Sequence, residues 1–213
     1  MIKGIPKLKT IYFITATNTD IGKTKAAEIF LNKYSNEGKK VGYYKPCETG
    51  VDDYPLDGSA MLKLTQELNP NFKVNINDIV PYQFKLPAAP YVANVDNIDI
   101  DINFLIKKAK YLLDFCDLLI IEGAGGLMVP IKENYFMIDL IKDFQDNFEN
   151  CKTKLITPSK LGCINDTLLS INALKNKNIN FNWYINLYEE KEDFRKTTLP
   201  FYKKYFKDNL NYL

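Results

Sequence analysis

The chain has 213 residues, 46% of them hydrophobic and 25% charged, enough for one large domain with a full core and unlike disordered, collagenous or coiled-coil sequences. With 28 Lys plus Arg against 26 Asp plus Glu, a net charge of +2 supplies no field for nucleic acid or an anionic membrane as the main partner. Histidine is absent and Arg195 is the lone arginine, so Ser-His-Asp and Cys-His catalysis are excluded, and anions must be held by lysines, a metal or helix N-termini.

In chain order, residues 1–9 read as a flexible extension without the apolar core of a signal peptide. Thr10 to Ala16 is a β-branched and aromatic strand, a loop of turn formers follows, and Lys23 to about Gly38 has helical spacing with Gly38 as its C-terminal stop. Val41 to Lys45 reads as a second strand ending at Pro46, Ser59 to Leu68 as a helix, Leu86 to Pro90 as a proline-dense rigid connector, and Asn103 to Asp114 as a helix. Leu118 to Ile121 is an all-apolar strand of the kind covered on both faces. Phe136 to Phe148 is helical, Lys154 to Thr157 a weaker strand, Asn165 to Asn176 a helix and Trp183 to Leu187 a strand. Strands alternating with helices predict a single α/β domain over 1–213, with a doubly wound, mostly parallel sheet, helices on both faces, and ligands beyond the carboxyl ends of the strands. Cys47, Cys116, Cys151 and Cys163 form no Cys-x-x-Cys pair, and nothing approaches the ~18 apolar residues of a membrane span, so a reducing cytoplasm is the expected location.

Thr17-Asn18-Thr19-Asp20-Ile21-Gly22-Lys23-Thr24 has P-loop spacing, with Thr17 in place of the first glycine. Between a strand and a helix, such a loop turns successive N–H groups toward phosphates, with Lys23 reaching the β and γ phosphates and Thr24 ligating Mg²⁺. That makes the expected fold P-loop NTPase-like; the plainer alternative is a strand-to-helix turn carrying Gly-Lys-Thr by chance. Lys23 is expected to stand in solvent. Glu122-Gly123-Ala124-Gly125-Gly126 follows the second strong strand, where a carboxylate can meet a metal or its waters and glycines admit a close backbone approach; a simple Gly-rich turn is the alternative. Lys45, within Tyr43-Tyr44-Lys45-Pro46-Cys47-Glu48-Thr49-Gly50, ends a strand and points to the same crevice, or is one more solvated lysine.

Thr15 to Thr24, Lys45-Pro46 with Thr49-Gly50, Glu122 to Gly126, and Lys160-Leu161-Gly162-Cys163-Ile164-Asn165 occur in the order and at roughly the intervals of dethiobiotin synthetases, and the resemblance runs from about Thr10 to Tyr202. It implies a homodimeric cyclo-ligase of biotin biosynthesis that forms C–N bonds, taking 7,8-diaminopelargonate (7,8-diaminononanoate), CO₂ and MgATP to dethiobiotin, ADP and phosphate. One amine captures CO₂ as a carbamate, the carbamate oxygen attacks the γ phosphate, and the second amine closes the ring. Carried over by resemblance, Lys45 and Lys23 are catalytic, Thr19 to Thr24 and Glu122 to Gly125 hold the nucleotide phosphates and metal, and Thr49 and Asp20 meet substrate. Gly162, Cys163, Ile164 and Asn165 meet the substrate carboxylate across the dimer interface. Asn186 and Leu187, with Leu199, Pro200 and Phe201, take the adenine.

The resemblance departs at the third metal ligand, an aspartate in a Ser-Asp-Ala context. Here Leu56-Asp57-Gly58-Ser59-Ala60 aligns serine directly and aspartate two residues earlier. A carboxylate binds Mg²⁺ better than a neutral hydroxyl, so the expected set is Thr24, Asp57 and Glu122, with Gly58 letting a loop bring Asp57 inward. Dimerising P-loop ATPase switches that partition DNA or mark a division site share such a fold. They carry a lysine early in the loop, where Asn18 stands here, and Glu189 to Leu213 shows no clean apolar face for a membrane. A cobalamin-type amidotransferase ATPase needs a glutamine-hydrolysing domain for which 213 residues leave little room.

Overall fold

The computed structural model describes residues 8–188, 191–207 and 209–213. Residues 1–7 of the predicted N-terminal extension, and Glu189, Glu190 and Asp208 of the C-terminal segment, lie outside the described residues. Lys9 is anchored, its Nζ donating to the Cys116 carbonyl at 2.6 Å.

The first half of the chain holds β1 (Thr10–Ala16), α1 (Lys23–Asn36), β2 (Val41–Tyr44), β3 (Cys47–Thr49), α2 (Leu56–Leu68), α3 (Ile76–Ile79), β4 (Tyr82–Phe84), α4 (Pro90–Ala93) and α5 (Ile102–Leu112). The second half holds β5 (Leu118–Gly126), β6 (Pro130–Lys132), β7 (Tyr135–Phe136), α6 (Met137–Asn147), β8 (Cys151–Pro158), α7 (Cys163–Asn176), β9 (Phe181–Asn186), α8 (Lys191–Thr197) and α9 (Leu199–Phe206). Five strands form one parallel sheet in the order β2-β5-β1-β8-β9. The order reverses around β1, so the carboxyl ends of β1, β2 and β5 open onto one crevice.

Phe13, Ile14, Leu119, Ile120, Ile121, Leu155 and Ile156 are fully buried, as apolar strands covered by helices on both faces must be. α1 ends as its sequence requires: Gly38 is left-handed (φ 79°) and donates to the Ser35 carbonyl. Lys154 on β8 is also buried, among the rings of Tyr12, Phe30, Tyr34 and Tyr184. All four cysteines are free and buried. Among the described residues no helix is long and apolar enough to cross a membrane.

Three boundaries differ from expectation in ways that matter for the site. α2 begins at Leu56, so Asp57 and Gly58 stand in the first helical turn and not in a flexible loop. Gly58 is no hinge: a Cβ there would lie 2.3 Å from Val80 Cγ2 and 3.1 Å from Glu48 Oε2, so it is glycine because the helix packs close. β5 continues through Gly126, which places Glu122 inside a strand. The predicted connector Leu86 to Pro90 leads into the short helix α4.

Candidate active site

β1 ends by handing the chain to the loop at Thr17, whose N–H still donates to the Ile156 carbonyl. Asp20 (φ 57°) and Gly22 (φ 95°) both take left-handed conformations, curling the loop before α1 starts at Lys23. At Gly22 a Cβ would lie 2.5 Å from Asn186 Nδ2, and that amide donates to the Ile21 carbonyl at 3.0 Å. The tip of β9 is thus pinned to the loop. At Gly126 a Cβ would lie 2.9 Å from the Thr17 carbonyl oxygen, so the loop entrance rests against the end of β5.

Lys23 is buried, not solvated: it is 8% exposed and its Nζ donates to the Asn18 carbonyl at 3.0 Å. Burial lowers its pKa; Glu122 opposes that shift and Lys45 reinforces it. Such an ammonium gains most from an anion brought to it, because little water screens the pair.

Glu122 is the hub. Tyr44 of β2 pairs with Ile121 of β5, so Lys45, just past the end of β2, and Glu122, within β5, stand at one level. Glu122 Oε1 accepts from Thr24 Oγ1 at 2.8 Å and from Lys45 Nζ at 3.0 Å, while Oε2 accepts from the buried Tyr43 hydroxyl at 2.9 Å. Lys45 also donates to Asp57 Oδ2 at 2.6 Å. Burial alone would lower the Lys45 pKa, but Glu122 and Asp57 outweigh it and raise the pKa, keeping Lys45 an ammonium. Burial first, then Glu122, hold Tyr43 protonated as a donor.

Lys23, Thr24, Lys45, Asp57 and Glu122 line a cleft of about 730 Å³ at the carboxyl ends of the strands. Of the predicted site residues, Thr19, Asp20, Gly22, Lys23, Thr24, Lys45, Thr49, Asp57, Glu122, Gly123, Ala124 and Gly125 line it. Ser59 faces away, into a shallow surface depression on α2 with Leu62 and Lys63. Ile21 is buried beneath the loop. Asn186 touches the loop from behind; it and Leu187, Leu199, Pro200 and Phe201 are not among the residues lining the cleft. Leu199, Pro200 and Phe201 form the first turn of α9, whose Tyr202 packs on α7 through Cys163 and Thr167. Gly162 (φ 88°), Cys163, Ile164 and Asn165 open α7 and do not line the cleft of their own chain. The Cys163 side chain turns inward to Thr198 and Tyr202.

Residues 10–188 match the family model described as an AAA domain. The chain is 47% identical over 195 residues to the ATP-dependent dethiobiotin synthetase of Sulfurovum sp. (strain NBC37-1), covering 91% of this chain and 90% of the relative. It is 34% identical to that of Wolinella succinogenes (90% and 88%) and 36% identical to that of Helicobacter pylori (89% and 86%). The chain belongs to the ATP-dependent dethiobiotin synthetase family. Among solved structures, MinD of Aquifex aeolicus (TM-score 0.55, 15% identity, 94% of this chain and 80% of that one) and a plasmid partition protein of Borrelia burgdorferi (TM-score 0.52, 15% identity, 97% and 89%) are similar. At that identity they show the doubly wound P-loop NTPase-like fold alone.

The donors present fit the chemistry of Mg²⁺, the metal the sequence resemblance implies. No cage of three or more acidic, cysteine or histidine side chains exists among the described residues. Two carboxylates and a hydroxyl face the loop instead, and the Lys45 ammonium already bridges the carboxylates, so this is a spot that favours positive charge. Mg²⁺ characteristically takes one or two protein carboxylates and completes its shell with water and phosphate oxygens. Tyr43, Glu48 and the wall Pro87 to Pro90 carried no sequence-based role. Tyr43 had a signal: two residues before Lys45 on a strand, it shares that lysine's face.

Proposed function

We propose that this chain is a cytoplasmic, homodimeric, ATP- and Mg²⁺-dependent dethiobiotin synthase, a single catalytic domain converting 7,8-diaminopelargonate and CO₂ to dethiobiotin with release of ADP and phosphate. The observation that carries the reading is the convergence of Thr24, Lys45 and Tyr43 on buried Glu122 at the mouth of a P-loop, in a chain with a relative 47% identical. Bound Mg²⁺, held by Thr24, Glu122 and Asp57, would offset phosphate charge.

The loop N–H groups and Lys23 bind and orient the phosphates, with α1's N-terminus aimed at them. Lys45 supplies a fixed positive charge beside the γ phosphate as the carbamate oxygen attacks, and it does so as an ammonium without giving up its proton. Asp20 and Thr49, which both line the cleft, meet the diamine, and Gly162 to Asn165 of the second subunit hold the substrate carboxylate. Asn186, Leu187 and the segment Leu199 to Phe201 take the base. Positioning and charge stabilisation suffice for phosphoryl transfer of this kind, so the lack of histidine is no obstacle. Incubation with diaminopelargonate, bicarbonate and MgATP should yield dethiobiotin detectable by mass. Folded protein that makes none at saturating substrate refutes the proposal.

A further inference from the structure

Helix α2 begins without a cap of its own. Its N-cap residue is Pro55, whose side chain makes no capping hydrogen bond, while a helix of 13 residues leaves its first N–H groups in need of acceptors. They find one on the preceding strand β3. Glu48, on β3, accepts from the Asp57 N–H through Oε1 at 3.0 Å and from the Gly58 N–H through Oε2 at 2.9 Å. Glu48 is 6% exposed, and β3 is fixed by its pairing with β4, where Glu48 stands opposite Gln83. The approach requires glycine at 58, where a Cβ would crowd both Glu48 and Val80. The Asp57 side chain, half-exposed, leaves this clamped turn toward Lys45.

We propose that Glu48 is a positioning residue: by capping α2 it fixes the first helical turn so that the Asp57 carboxylate is delivered to the Lys45–Glu122 pair, and it acts on the metal site through Asp57. This rests on the reading of Asp57 as a metal ligand. Two charge-assisted hydrogen bonds to backbone orient a side chain far more narrowly than a loop does, and a buried carboxylate that lines the cleft yet spends both oxygens on a helix end is otherwise unaccounted for.

The test is the Mg²⁺ dependence of binding of a fluorescent, non-hydrolysable ATP analogue, which needs no turnover. Glu48→Gln keeps the volume but one acceptor in place of two, and should raise the Mg²⁺ midpoint about three- to tenfold, as expected for the loss of one such bond. Asp57→Asn should raise it at least as far, and the double variant no further than Asp57→Asn alone. Pro55→Ser adds a local cap for the same N–H groups and should restore much of the midpoint in the Glu48→Gln background; were Glu48→Gln unfolded, Glu48→Asp with and without Pro55→Ser gives the same comparison. An unchanged midpoint in Asp57→Asn overturns the metal role of Asp57 and this inference with it. A raised midpoint in Asp57→Asn beside an unchanged one in the Glu48 variant overturns the inference alone, as does a double variant shifted beyond both.

Discussion

Replacing Lys154 by methionine should make the protein more stable at pH 7 and remove one component of its pH dependence. The Lys154 ammonium is 3% exposed on β8, 4.1 Å from the ring centre of Tyr12, 4.4 Å from Phe30, 4.9 Å from Tyr184 and 5.9 Å from Tyr34. Its Nζ donates to the Tyr184 hydroxyl at 3.1 Å, and among the described residues no carboxylate pairs with it. Burial first, then Lys33 and Lys152, push its pKa from 10.5 down to about 8. The unfolded chain therefore binds more protons than the folded one between pH 8 and 10.5, and stability rises with pH across that window. Below pH 8 the charge is present in both states and its burial cost is felt in full. The ceiling on that cost is ~3 kcal/mol at 1.36 kcal/mol per pKa unit, and the ring faces, which favour the charged form, reduce it to ~1–2 kcal/mol. Methionine fills the same space and keeps sulfur–ring contacts. Urea unfolding of both proteins from pH 7 to 10.5 should show Lys154→Met ahead by ~1–2 kcal/mol at pH 7, with the gap closing toward pH 10.5. A gap that stays constant, or a less stable variant at pH 7, would show that the rings hold the cation more tightly than burial disfavours it.

Lys23→Ala should lower turnover on the order of 10²–10³-fold while changing stability by less than ~1 kcal/mol, since Lys23 is a buried ammonium held by a single loop carbonyl. A variant that keeps the full thermal shift with MgATP contradicts its phosphate role. Asp57→Asn should raise the Mg²⁺ requirement of turnover severalfold and Ser59→Ala leave it within about twofold, because only Asp57 lines the cleft; initial rates against Mg²⁺ decide, and the reverse ranking sinks the ligand set. Mixing inactive Lys45→Ala with a variant disrupted across Gly162 to Asn165 should, after subunit exchange verified by mass, restore activity in heterodimers with one intact site. Exchange without recovery would locate the substrate carboxylate within one chain.

Much of the frame was legible locally. β1 begins and ends where its β-branched run does, and α1 starts at Lys23 and is closed by Gly38. Where legibility failed, a residue of another element had taken over a local task. Leu56 to Gly58 reads as a turn because proline, aspartate and glycine precede any apolar periodicity; its first helical turn is capped by Glu48, a residue outside the helix on β3. Glu122 to Gly126 could equally be read as a Gly-rich turn, yet β5 runs on through it, its pairing with β1 shifting register, and the glycine at 126 admits the Thr17 backbone. β3 and β4 are three residues each, too short for an alternation pattern to register. α9 was missed although Pro200 in its first turn was an available signal. The P-loop and Glu122 could be read because strand tips in such sheets face one crevice; the partners of Glu122 depend on β2–β5 register, which no single segment encodes.

The buried thiols give the molecule four internal clocks. Cys47 stands on the cleft wall, Cys116 just ahead of β5, Cys151 at the start of β8 and Cys163 at the start of α7. Burial raises the first three to about 12, so in the folded state they present almost no thiolate, the form that an alkylating reagent attacks. All four are buried, so each is modified only at the moments when its own neighbourhood opens, and peptide-resolved alkylation would time those openings separately for four parts of the fold. Ligand bound in the cleft would slow the clock at Cys47 first, and a reagent that ran all four at a common rate would be timing the unfolding of the whole.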